Sequence, residues 1–204
     1  MTHTESTTPE RAEEWLAIGR RAHADGRDQD ARTALLAAAG LSAAAHDGRI
    51  LGQSLTELST LDVAEAVRYA AQGVWLSLHT EMTPTDVLRC VTRMNFGIGG
   101  DAELAALAMA YASVSVPQRA RNSENLVELL VVLLGLQAEC AMPRGIEPDG
   151  LKAWLRAQGL DRVDRIRPRL VAELETWFSD TEWLFDRGAW ATTFAGPSRP
   201  DGAS

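Results

Sequence analysis

The chain has 204 residues, of which 46% are hydrophobic and 24% charged. These values are typical of a globular protein large enough to bury a core without disulfides or metals. Its 20 basic and 28 acidic side chains give a net charge of −8 at pH 7, which disfavours contact with phosphate backbones and anionic membranes. We therefore expect neither nucleic acid nor a membrane as a partner.

Helix signals follow one another along the whole chain. Thr-Pro pairs at 8–9 and 83–84 are typical helix starts, and no segment shows the two-residue alternation of a strand. We predict an all-α protein of about nine or ten helices, stacked as antiparallel hairpins in a short repeat-like superhelix or packed as an irregular bundle. The predicted helices cover 8–24, 28–40, 49–58, 62–79, 83–96, 101–115, 123–141, 148–159, 161–178 and 180–186.

The pattern predicts one domain over 8–195 between disordered tails at 1–7 and 196–204. A repeat-like half would cover 8–115, and a C-terminal half that caps it would cover 123–195. The first residues have neither the basic start nor the apolar centre of a signal peptide. The apolar run 126–136 is too short for a bilayer and predicts a buried helix.

Large and small residues alternate on the facing sides of the first two predicted helices. The small Gly19 would allow the close approach of a second helix that presents the small Ala31. The spacing resembles a tetratricopeptide repeat over residues 12–45, with Ala22 in place of the family's usual aromatic residue and Ala43 in place of its proline. The positions that carry the resemblance are Trp15, Ile18, Gly19, Ala22, Gly26, Ala31, Leu35 and Ala38.

Weaker copies of this pattern continue to about residue 115. In the second copy, Gly52 and Ala64 stand 33 residues after Gly19 and Ala31. The third copy matches only at its turn and second helix. Since alanine-rich helices alternate in size in many bundles, a non-repeating helical bundle remains the alternative.

The resemblance implies a concave surface lined by one stripe of each hairpin's first helix. Two arginines of this stripe, Arg20 and Arg49, are suited to hold a carboxylate of an acidic protein or peptide. The alternative is a solvated face without a ligand. The predicted partner-binding residues are Glu13, Arg20, His23, His46, Arg49 and Gln53, while Leu16, Thr56, Val87, Cys90 and Met94 would complete the stripe.

Trp177, Trp183 and Trp190 are concentrated near the C-terminus. Aromatic residues at this density favour three arrangements. They could cap the open end of a helical array, form the interface of a homodimer, or wall a small-molecule pocket.

The sequence indicates no catalytic residues, no metal site and no cofactor. Four scattered histidines lack the spacing of metal ligands. The two cysteines, Cys90 and Cys140, lie in apolar runs and predict buried free thiols. An alanine-, arginine- and leucine-rich composition is typical of GC-rich bacteria.

We hypothesise a bacterial, cytoplasmic protein- or peptide-binding helical module that acts as an adaptor, a regulator or an immunity-type factor. The alternative is a small metal-free enzyme or small-molecule-binding protein with an aromatic-lined pocket between its helices.

Overall fold

A computed structural model describes residues 7–100, 102–147 and 150–194. Every regular element in these ranges is helical, which confirms the all-α prediction. A short 3₁₀ turn, Met142–Arg144, follows the seventh helix. The α-helices are α1 (Thr8–Ala24), α2 (Asp28–Ala44), α3 (Gly48–Thr60), α4 (Ala66–Ser77), α5 (Pro84–Ile98), α6 (Glu103–Arg119), α7 (Leu126–Ala141), α8 (Leu151–Ala157), α9 (Val163–Trp177) and α10 (Arg187–Phe194).

Polar side chains fix the starts of several helices. Asp47 accepts hydrogen bonds from the backbone N–H groups of Arg49 and Ile50 at the start of α3. Thr83 accepts one from the N–H of Asp86 at the start of α5, where proline occupies the first turn. These bonds satisfy amides that have no partner inside the helix, and they set the hairpin boundaries that the sequence predicts.

The first seven helices form two layers, because each helix packs against the next one along the chain. An inner layer contains α1, α3, α5 and α7, in which α1 contacts α3, α3 contacts α5 and α5 contacts α7. An outer layer contains α2, α4 and α6. This sequential packing of antiparallel hairpins is consistent with a repeat-like array.

Small residues let the helices of a hairpin approach closely. A Cβ atom added to Gly19 would lie 2.6 Å from Cγ of Leu35, which is fully buried in α2. The predicted close approach of the second helix at Gly19 is therefore present, and the carbonyl oxygen of Ala31 lies 3.4 Å from the same point. Ala31 and Ala38 are fully buried in the hairpin interface, but the prediction is wrong for Trp15 and Ile18, which are 38% and 47% exposed.

The C-terminal half covers the outer layer. Helix α9 packs against α6 and contacts α4. Residues 178–190, which we call the C-terminal segment, then run back along α4, where the Gln72 side chain bonds to the backbone of Glu182 and Leu184. All residues of α4 except Val67 and Arg68 are consequently buried.

Several predicted boundaries are wrong. Helix α2 continues past Gly40 to Ala44, because a glycine within a helix lowers its stability without ending it. Helix α6 continues through Pro117, and its last turn is held by Arg119, which donates to the carbonyl oxygens of Ser77 and Met82 at 2.8 and 2.9 Å. Residues 180–186 are irregular, and the last helix begins at Arg187.

The prediction that the apolar helix is buried is also wrong. Helix α7 lies at the end of the inner layer and has neighbours on one side, since Leu129, Leu133 and Leu136 face α5 and α6. Leu126–Arg144 is long and apolar enough to cross a membrane, by length and composition only. Of its most apolar 18-residue window, 28% is buried. The run of apolar residues therefore supplies two faces, one inside the core and one uncovered.

The C-terminal aromatic residues do not cover that uncovered end. They pack on α4 and on the turn between α2 and α3 instead. The expectations for the tails at 1–7 and 196–204, for an N-cap at Asp101 and for a helix start at Pro148 lie outside the described residues, apart from Thr7.

Candidate binding groove

A groove of about 730 Å³ crosses the inner layer. All four inner helices or their ends contribute to it: His23 from α1, Glu57 from α3, Arg89 and Phe96 from α5, and Val132 from α7. Such a concavity is where a helical-hairpin array would receive an extended or helical segment.

The floor and rim of the groove between α5 and α7 are apolar. Leu88 and Leu129 are nearly fully buried at its base. Phe96 and Val132 line it and remain 67% and 47% exposed. Exposed large apolar side chains over a buried apolar floor offer a surface that a hydrophobic side chain of a partner would remove from water.

Arg89 and Arg93 give the groove a cationic side. They lie four residues apart on α5, so they are neighbours on one helix face. Both are exposed, and neither forms an ion pair within the described residues. Two free guanidinium groups beside an apolar floor can each bind a carboxylate bidentately.

The two arginines predicted from the sequence are occupied by the chain itself. Arg20 donates from Nε to Oε1 of Glu57 at 2.8 Å, and Arg49 is paired with Glu13. Both pairs join α1 to α3. They are exposed, so each contributes little to stability, and each neutralises one of the two predicted arginines within the chain.

His23 is the one predicted partner-binding residue that lines the groove. Its Nδ1 lies 2.7 Å from Oδ1 of Asp28. That hydrogen bond, together with the N–H of Asp62, lowers the pKa of the Asp28 carboxyl. Of the other predictions, Gln53 is half-buried and lines neither this groove nor the concavity described below.

The stripe predicted for α5 is wrong by a fraction of a turn. Val87, Cys90 and Met94 are fully buried. Leu16 on α1 and Thr56 on α3 are nearly fully buried. The apolar side of α5 faces the core, which turns Arg89 and Arg93 toward the groove. The arginine spacing of four residues was the available signal, but the helix's orientation in the array was needed to interpret it.

Buried thiols are found as predicted. Cys90 and Cys140 are free and buried. Burial raises the pKa of the Cys90 thiol to about 12, since the thiolate would lose its hydration. A thiol in this state is a poor nucleophile.

Trp183 and Trp190 belong to a packed aromatic cluster. Trp75 stacks on His79 at 4.1 Å between ring centroids and meets Trp183 edge-on at 5.9 Å. Trp190 is buried and stacks on His46 at 5.4 Å. The rings contact one another instead of walling an empty pocket, and Trp177 lies apart with its side chain 46% exposed.

A second concavity, of about 950 Å³, adjoins this cluster. His46, Arg49 and His79 are among its lining residues. Burial and the neighbouring Arg167 guanidinium lower the pKa of His79 to about 4. Because arginine only donates, the 2.7 Å contact from Arg167 makes Nδ1 of His79 the acceptor and places the proton on Nε2.

Within the described ranges, no three His, Cys, Asp or Glu side chains are grouped to hold a metal ion. The chain matches no protein-family model, no curated protein and no solved structure. The geometry of the groove is therefore the basis for a functional proposal.

Proposed function

We propose that the protein binds an acidic, amphipathic segment of another protein in the groove of its inner layer. The observation that carries this proposal is the juxtaposition of unpaired Arg89 and Arg93 with the apolar Leu88, Phe96 and Val132. Apolar side chains of the partner would pack on this floor, and its carboxylates would meet the two arginines.

We also propose that the hairpins α1–α2, α3–α4 and α5–α6 are a diverged tetratricopeptide-like array. The close contact of Gly19 with Leu35 supports the first unit. The second unit departs from the pattern, since Gly52 lies against Met82 before α5 and Ala64 lies in the turn before α4, not on the second helix. A groove on the side of the first helices is what this arrangement implies for binding.

Charge reversal tests the proposed function. Peptides would first be selected from a random displayed library against the full chain, and we expect sequences that combine acidic with large apolar residues. Arg89→Glu/Arg93→Glu should raise the dissociation constants of the selected peptides by about 10-fold or more, since each lost charged hydrogen bond contributes roughly 1.5–3 kcal/mol. Fluorescence anisotropy with labelled peptides gives the dissociation constants.

The matched control is Arg11→Glu/Arg156→Glu, which makes the same change of charge at exposed positions outside the groove. It should bind the peptides nearly as the parent does. Peptides with their Glu residues changed to Lys should in turn bind the Arg89→Glu/Arg93→Glu variant better than the parent chain. Selection of basic peptides, or equal binding by both double variants, would refute the assignment.

A further inference from the structure

The side of α7 that faces away from the core is an uncovered apolar surface. Val127, Val131 and Leu134 are 73%, 63% and 63% exposed, and Met142 continues the stripe just beyond the helix. No charged residue interrupts this stripe. We call it the α7 free face, and it consists of Val127, Val131, Leu134, Gly135, Ala138 and Met142.

Gly135 lies in the middle of this face. A Cβ atom added there would meet nothing within 4 Å, so the fold of a single chain makes no use of its missing side chain. Glycine inside a helix costs roughly 0.5–1 kcal/mol relative to alanine. A second helix that crosses α7 at this point would use the space directly.

We propose that the α7 free face binds the α7 free face of a second copy, with the two helices antiparallel about a two-fold axis between Leu134 and Gly135. In this register Leu134 lies over Gly135 of the second copy, and Val131 lies opposite Ala138. Val127 then meets Met142. Each large side chain faces a small or flexible one, so a single stripe is complementary to itself, as an isologous interface requires.

Two other occupants fit the face less well. A head-to-tail stack would place α1 of the next copy on α7, where the apolar Trp15 and Ile18 are exposed. Arg11, Glu14 and Arg21 surround these two residues, and the uncharged stripe would cover their charges without pairing them. An anionic membrane surface would meet Glu128 and Glu139 beside the stripe and a chain of net charge −8. A second copy brings the same uncharged stripe, and its Glu128 and Glu139 lie at the solvent-exposed edge, where salt screens them.

The dimer would leave the groove open. Glu128, Leu129 and Val132 line the groove from α7. Leu129 and Val132 lie about 100–180° around the helix from Val131 and Ala138, and Glu128 lies about 60–80° away, at the edge of the free face. The proposed interface is thus independent of the proposed function. Because one helix pair covers less than the ~800 Å² per partner of a standard interface, we expect a dissociation constant on the order of micromolar.

Sedimentation velocity of the full chain over a concentration series tests the dimer. The mass should rise from the 22.1 kDa of one chain to about twice that value. Val131→Gln should raise the dissociation constant at least ~10-fold, because it buries an unpaired amide in the stripe. Val132→Gln, one residue further on the groove side, is the matched control without added charge and should dimerise as the parent does. Both positions are exposed, so both variants should fold, which circular dichroism checks.

Gly135→Leu distinguishes a shape-complementary interface from nonspecific hydrophobic association. It enlarges the apolar surface but fills the crossing point, so we expect weaker self-association. Added salt should tighten the parent dimer, since Glu128 of one chain and Glu139 of the other lie along the same edge of the antiparallel interface.

Oxidative cross-linking tests the orientation. A mixture of Val131→Cys and Ala138→Cys chains should form mixed disulfide dimers in preference to dimers of either variant alone. A monomer at every concentration, a tighter dimer with Gly135→Leu, equal loss of dimer with Val132→Gln, or cross-links only between like variants would each overturn the proposal.

Discussion

Gly19 and Gly40 show how differently two glycines of one hairpin are used. A Cβ at Gly19 would lie 2.6 and 2.7 Å from Cγ and Cδ2 of Leu35, whose side chain is fully buried and has no free space to move into. Gly40 is exposed on α2, and a Cβ there would meet nothing within 4 Å. Helix packing requires glycine at position 19, whereas no contact in the structure requires glycine at position 40.

Alanine at these two positions should therefore have opposite effects on stability. We expect Gly19→Ala to lower the free energy of unfolding by about 1–3 kcal/mol through overpacking. Gly40→Ala should raise it by about 0.5–1 kcal/mol, since alanine is the better helix former. Urea unfolding followed by circular dichroism measures both, and similar changes in the two variants would contradict the contact at Gly19.

Single residues also show what the sequence can predict. The close approach of α2 at Gly19 follows from spacing within one hairpin. The partners of Arg20 and Arg49 are 37 and 36 residues away, so they depend on how α3 lies against α1, which no local pattern states. For the same reason the sequence does not show that Arg20 and Arg49 form ion pairs within the described part of the chain, whereas Arg89 and Arg93 do not.

At the scale of elements, one side chain ties the C-terminal segment to α4. Gln72 is 1% exposed, donates from Nε2 to the carbonyl oxygen of Glu182 at 3.1 Å, and accepts from the N–H of Leu184 at 3.0 Å. Both bonds are made to irregular backbone between α9 and α10. This segment has no regular structure of its own to satisfy these groups.

Gln72→Leu should loosen the C-terminal segment. It leaves one N–H and one C=O without partners, at a cost of about 1–3 kcal/mol. We expect faster tryptic cleavage after Arg187, which contacts the Trp183 ring, and a red shift of tryptophan fluorescence. Gln118→Leu, at an exposed position on α6, is the control and should leave both readouts unchanged.

The elements that sequence analysis assigned wrongly share a cause. The apolar pattern of α7 predicts a buried helix, but its burial depends on whether a further element covers the end of the layer. Residues 180–186 contain helix-forming side chains, yet they lie along α4 as irregular chain because Gln72 binds their backbone. In both cases the outcome depends on whether a distant part of the chain packs against the segment. The order of the hairpins from α1 to α6 depends on local spacing and is predicted correctly.

At the scale of the whole molecule, His79 links the stability of the fold to pH. It lies between the outer layer and the C-terminal half, stacked on Trp75 and bonded to Arg167. Its pKa is about 4 in the folded chain and about 6.5 when unfolded. Between these values the unfolded chain binds a proton that the folded chain does not, so acidification favours unfolding.

We expect the free energy of unfolding to fall as the pH drops from about 6.5 to about 4. His79→Gln, which can still accept a bond from Arg167 but does not titrate, should have a flatter profile over this window. The Asp28 carboxyl, whose pKa is lowered, would cause a loss only at more acidic pH. Urea unfolding at several pH values measures the slope, and identical slopes in the parent and the variant would contradict the role of His79.

The stacking of Trp190 on His46 also bears on the order in which the chain folds. The hairpins join neighbours in sequence, and such local contacts form quickly and can do so while the chain is being synthesised. The His46–Trp190 contact closes a loop of about 144 residues, which is slow to form because of its entropy cost. The outer layer therefore keeps its apolar surface open to solvent until residues 178–190 have been synthesised, and it is during this interval that the nascent protein is most exposed to aggregation.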